Sequence, residues 1–213
     1  MQNLWIIIAL LLMSLITQSK AQTSYDAEME KAISEFQQSE TLVDFDKTAQ
    51  HFDQIAQSNP DNWLPVYYSM FMKTLAAFQM EPKQALKTSD RLDDQFQKLE
   101  SLNPNEAEAL ILRALYRTVK VAKDPMTYGM TLPSAIIRDY NEALRLEPDN
   151  PRATYLMAQF NMEGAPYWGK DPKQYCLQIE QAKQLFLKEE KSDFEPNWGE
   201  NRTDEILNNQ CKK

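Results

Sequence analysis

The sequence predicts an all-α protein, built as a stacked row of about four antiparallel helix pairs. Three observations predict it. Only four of the 213 residues are glycine, and long stretches are rich in Ala, Leu, Gln, Glu and Lys, a composition that favours helix. No alternating apolar–polar pattern bounded by turn residues occurs, so strands are not expected. Finally, one stretch returns: "FDQIAQSNPDNWLP" from Phe52, "FQKLESLNPNEAEA" from Phe96 and "YNEALRLEPDNPRA" from Tyr140, each 44 residues after the last.

The chain opens on a segment read as targeting rather than fold. Leu4 to Ile16, "LWIIIALLLMSLI", is an uninterrupted apolar run. As a helix it would span roughly 20 Å, short of a bilayer core, which suits the centre of a secretory signal. Ser19 and Ala21 place cleavage after Ala21, making residues 1–21 the signal and 22–213 one domain with a short tail from about 191. The expected location is periplasmic or secreted. An uncleaved membrane tether is the alternative, because "MQN" carries no basic side chain. After cleavage no stable membrane insertion is expected. Lys20 is the one charged side chain in residues 1–21, so its loss takes the formal charge from −8 to −9. That balance lacks the basic stripe that nucleic-acid phosphates require.

Apolar periodicity then predicts helices near 25–38, 43–58, 63–80, 83–102, 106–122, 132–146, 151–163 and 171–189, with a short one near 201–209. In each copy of the repeat, apolar residues recur at helical spacing up to a proline: Phe52 and Ile55 before Pro60, Phe96 and Leu99 before Pro104, Tyr140 and Leu144 before Pro148. Proline disfavours helical geometry in the residue before it and donates no amide, so each helix stops there. Short polar side chains follow, such as Asn105 and Asn150, and can accept the free amides of a new helix. Pro151 sits where a first helical residue needs no amide. Each copy is therefore a hinge between antiparallel helices. One pair alone buries too little apolar surface, whereas stacked pairs share a continuous core.

These spacings resemble the tetratricopeptide (TPR) repeats, a family with a proline closing the second helix and an aromatic residue eight positions earlier. Phe52–Pro60, Phe96–Pro104 and Tyr140–Pro148 match, and Ala114 and Ala158 match the small residue where the family's two helices cross. The period is ten residues longer than the family's 34, and Met70 stands where a small residue is usual. The resemblance implies a right-handed TPR-like α-solenoid whose concave face takes a protein or peptide partner without catalysis. The lining positions it implies are Leu64, Tyr67 and Phe71; Glu108, Ile111 and Leu115; and Arg152, Tyr155 and Gln159. Of these, Tyr67, Tyr155, Arg152 and Gln159 are the stronger candidates, because Phe71, Ile111 and Leu115 read rather as core than as lining.

The surplus residues fall near 77–86, 121–130 and 165–178, along one edge, and hold Phe78, Met80, Met126, Tyr128, Met130, Tyr167 and Trp168. Tyr128, Tyr167 and Trp168 are the alternative site, for a small molecule or glycan. "PYWGK" from Pro166 and "PNWGE" from Pro196 share Pro-x-Trp-Gly. In both, the simplest expectation is a tryptophan packed under the following helix.

Catalysis, cofactor and metal are not expected. His51 is the one histidine, with no Cys or His spaced for a metal, and neither a nucleophile elbow nor a phosphate loop occurs. Cys176 and Cys211 can bridge in an oxidising compartment, fastening the tail to the last long helix. "NRT" from Asn201 fits a glycosylation acceptor in a eukaryotic secretory route.

Overall fold

A computed structural model describes residues 24–102, 104–190 and 192–212. The expected signal segment and cleavage point lie outside the described residues. Among those described there is no strand, and no helix is long and apolar enough to cross a membrane. The helices are α1 (24–37), α2 (Leu42–Ser58), α3 (Trp63–Gln79), α4 (Pro82–Ser101), α5 (Glu106–Lys123), α6 (Pro125–Tyr128), α7 (Pro133–Leu146), α8 (Pro151–Gly164), α9 (Cys176–Phe186) and α10 (Glu200–Ile206).

Local chemistry sets the boundaries. Thr41 and Asp44 form a reciprocal capping box at the start of α2. Asn105 accepts the Glu108 amide at 3.0 Å, and Asn150 accepts the Ala153 amide at 3.0 Å. Asn62 makes no such bond, so α3 begins without a side-chain cap. Pro82, Pro133 and Pro151 occupy first helical positions. α2, α4 and α7 end just before Pro60, Pro104 and Pro148.

α2 to α5 pack in succession, α7 packs on α5, α7 to α10 again pack in succession, and α3 also packs on α5 and α5 on α8. This is a solenoid-like row with alternate helices on alternate faces. α3 buries eleven of its 17 residues because α2, α4 and α5 enclose it. Phe52, Phe96 and Tyr140 are buried, as are Met70, Ala114 and Ala158. Buried Asp139 on α7 accepts from Arg113 at 3.0 and 2.8 Å and from Arg117 at 2.8 Å, tying α7 to α5. His51 is clamped between Glu28 and Glu35 of α1, at 3.0 and 2.9 Å.

Two expected elements differ. The helix expected over 171–189 is shorter. Asp171 accepts the Lys173 amide and Pro172 opens a 3-10 turn, so the α-helix starts only at Cys176. The segment 121–130 is not all loop: Asp124 accepts the Thr127 amide and caps the four-residue α6. The first surplus segment lengthens the helices, leaving two residues between α3 and α4.

Candidate functional site

Helices α1, α3, α5 and α8 share one face, and the nine positions implied as concave lining lie on the last three of them. Seven of the nine, Tyr67, Phe71, Glu108, Ile111, Leu115, Arg152 and Tyr155, are buried, while Leu64 and Gln159 are half-buried. The expectation of an open partner-binding surface there is therefore corrected: part of the face is occupied by the tail of the same chain.

After α9 the tail turns back across this face as an irregular strap. The Phe194 ring meets Tyr25 of α1 edge-on, at 6.1 Å between centroids. Tyr68 donates its hydroxyl to the carbonyls of Phe194 and Glu195, both at 3.2 Å. Trp198 stacks on Phe71 at 4.1 Å and 21°, and its indole N–H donates to the Tyr67 hydroxyl at 3.1 Å. Gly199 then takes φ 109°, a left-handed conformation that favours glycine. A Cβ there would stand 2.9 Å from the Phe186 ring. Cys176 and Cys211 are joined by a disulfide, S–S 2.01 Å, which returns the tail to the start of α9.

Beneath the strap runs a charged chain. The Tyr67 hydroxyl donates a hydrogen bond to Glu108 Oε2 at 3.1 Å. Glu108 Oε1 accepts from Asn150 at 2.9 Å and from Arg152 Nε at 2.8 Å. Arg152 Nη2 pairs with Glu189 at 2.6 Å. Burial pushes the Glu108 carboxyl up, against the pull of Arg152, Asn150 and Tyr67. Burial also pushes the Tyr67 phenol well up, and the nearby Glu108 carboxylate adds to it. Burial works against the Arg152 charge, but Glu108 and Glu189 hold its pKa above the ordinary value. Two atoms are left over: Arg152 Nη1 and Glu189 Oε2 are buried without a hydrogen-bond partner among the described residues. Alongside lies a cleft of about 210 Å³ lined by Asn105, Glu147, Glu190, Glu195 and their neighbours.

The loop edge lies at the opposite ends of the same helices, roughly 20 Å away at 1.5 Å per residue. There Lys123 at the end of α5 donates to the Met80 carbonyl beyond α3 at 2.7 Å, which joins the first two surplus segments. α8 runs parallel to α5, because α7 lies antiparallel between them, so its surplus segment leaves on the same side. Phe78 is half-buried and Met80 buried, so both belong to the core. Tyr128 is half-buried. Tyr167 is 78% exposed, Trp168 62%, Met126 92%, Met130 78% and Leu177 74%. Tyr167, Trp168 and Leu177 all fall on one segment, 165–178. Lys170 on that segment is exposed and cationic. Among the described residues no group of three or more His, Cys, Asp or Glu side chains could hold a metal ion.

No family model matches the chain, and no curated protein matches its sequence. A solved structure does resemble it: the HusA haemophore from Porphyromonas gingivalis, with a TM-score of 0.76 and 22% identity, covering 86% of this chain and 90% of that one. A likeness at that identity speaks for the fold, an all-helical arrangement matched nearly end to end.

Proposed function

We propose that this protein is an exported, non-catalytic binding protein that takes a flat, largely apolar small molecule of the haem class at its loop edge. The observation that carries the reading is the exposed Tyr167–Trp168 pair, with exposed Lys170 and Leu177 on the same segment 165–178, on a fold whose solved counterpart is a haemophore. Aromatic faces and an aliphatic side chain stack on a planar ring, and a lysine answers a ligand carboxylate. Export rests on the apolar segment at residues 4–16 and on the Cys176–Cys211 bridge, which persists in an oxidising compartment. The frame is read as TPR-like, on the buried aromatic eight residues before each hinge proline and on buried Ala114 and Ala158. His51, held by two carboxylates, does not serve the ligand.

Titration with hemin and, in parallel, metal-free protoporphyrin IX, followed by absorbance, tests this. Saturable binding of both is expected, because ring stacking rather than iron ligation does the holding. Trp168→Ala is expected to weaken it about tenfold, the effect of losing an aromatic hot spot, with helix content unchanged. No saturable binding, or undiminished binding by Trp168→Ala, overturns the reading.

A further inference from the structure

We infer that the groove under the strap is a second binding site, for a cationic, tryptophan-bearing peptide in extended conformation, and that residues 192–199 are its built-in occupant. The inference stands apart from the haem-class reading and concerns the opposite ends of the helices. The strap shows what the groove reads. Two successive backbone carbonyls accept from Tyr68, an indole three residues later lies flat on Phe71 with its N–H on Tyr67, and a glycine follows where Phe186 leaves no room for a Cβ. Main-chain bonds, one aromatic anchor and one steric filter are the elements of extended-peptide recognition.

The occupant is loosely held. Among the described residues, 192–198 make no backbone–backbone hydrogen bond, and most of their side chains are exposed or half-buried, with Pro196 and Trp198 as the buried anchors. Few backbone bonds and few anchors are the marks of a segment that opens locally, well below the free energy of global unfolding. The strap also fits imperfectly. Among the described residues it leaves Arg152 Nη1 without an acceptor and Glu189 Oε2 without a donor, and Arg152 is 5% exposed. A peptide amide presents both an acceptor and a donor.

Charge selects the partner. Among the described residues, the cleft beside the strap is lined by Glu108, Glu147, Glu189, Glu190 and Glu195, with Arg152 as their basic counterpart. The strap brings one of these carboxylates itself, Glu195, whose pKa is raised by burial and by Glu108. A lysine in that place meets the surrounding carboxylates instead of opposing them. An anionic ligand meets repulsion there, which sets this site apart from one for carboxylate-bearing molecules.

The test uses the disulfide-bonded full chain and a labelled peptide copying residues 194–200 with both glutamates changed to lysine, FKPNWGK. Controls are the unchanged peptide FEPNWGE and a lysine peptide with alanine for tryptophan. Trp198→Ala is expected to bind FKPNWGK about tenfold more tightly than the unaltered protein, because the resident indole no longer competes. Both control peptides are expected to bind that variant about tenfold more weakly than FKPNWGK does, and added salt to weaken FKPNWGK. A second host, with residues 192–198 replaced by a Gly-Ser segment of equal length, serves if Trp198→Ala loses its helical circular dichroism. In the unaltered protein, saturating FKPNWGK is expected to speed amide hydrogen exchange in the strap. A folded host with no gain in affinity, equal binding of the lysine and glutamate peptides, or unchanged strap exchange would each overturn the proposal.

Discussion

Two tryptophans occupy the same Pro-x-Trp-Gly setting and meet opposite ends. Trp198 is 9% exposed and Trp168 is 62% exposed. Both glycines that follow take positive φ, 64° at Gly169 and 109° at Gly199. The four-residue motif thus sets a turn and nothing more. What decides burial is the partner surface within reach. Residues 192–199 cross a face already lined with Tyr67, Tyr68 and Phe71, whereas the 3-10 turn Ala165–Trp168 leaves the end of α8 at the solvent side of the row. One copy of the motif is packed against its own chain, and the other stands open to solvent.

The sharpest way to break this comparison is at the charged chain under the strap. Arg152→Ala strands Glu108 and Glu189 in a buried place, and breaking a buried pair on one side costs about 3–5 kcal/mol. Urea unfolding is expected to show that loss, and a midpoint that hardly moves would mean that the face is not sealed. Next comes the bridge. It closes a separation of 35 residues, which the chain-entropy account sets at about 4 kcal/mol at most. Cys176→Ser with Cys211→Ser is expected to lower thermal stability and to raise Trp198 exposure, read by acrylamide quenching, while leaving the helix content intact. The smallest effect separates the two glycines. Gly169→Ala meets open space and carries only the left-handed strain, about 1 kcal/mol. Gly199→Ala carries that strain and a contact with the Phe186 ring, so a larger loss is expected, up to about 3 kcal/mol. Equal losses would remove Phe186 from the argument.

Much of the fold was legible because its signals are local. A proline stops a helix wherever it stands, and Pro60, Pro104 and Pro148 mark the ends of α2, α4 and α7. The apolar stripes of Phe52, Phe96 and Tyr140 point into the core for the same local reason. The site was less legible. The positions implied on α3, α5 and α8 do share one face, but residues 192–199 carry no periodicity that says where they lie. Trp198 reaches Tyr67 across 131 residues of chain, and no spacing rule spans such a gap. Glu108, Asn150 and Glu189 escaped as a network because Glu108 is implied only as a lining position and Asn150 only as a helix cap, and no local spacing joins them to Glu189. The echo of Pro-x-Trp-Gly was the available signal, and it pointed at both tryptophans without telling them apart.

The bridge between Cys176 and Cys211 has a topological consequence. It turns the last stretch of the protein into a closed covalent ring that contains α9, the strap and α10. A protease that clips the exposed backbone of the strap would open the ring without severing it. Both fragments would stay on the same molecule and run as one band until a thiol was added. Damage at the most accessible part of the tail is thereby converted from loss of an element into a nick.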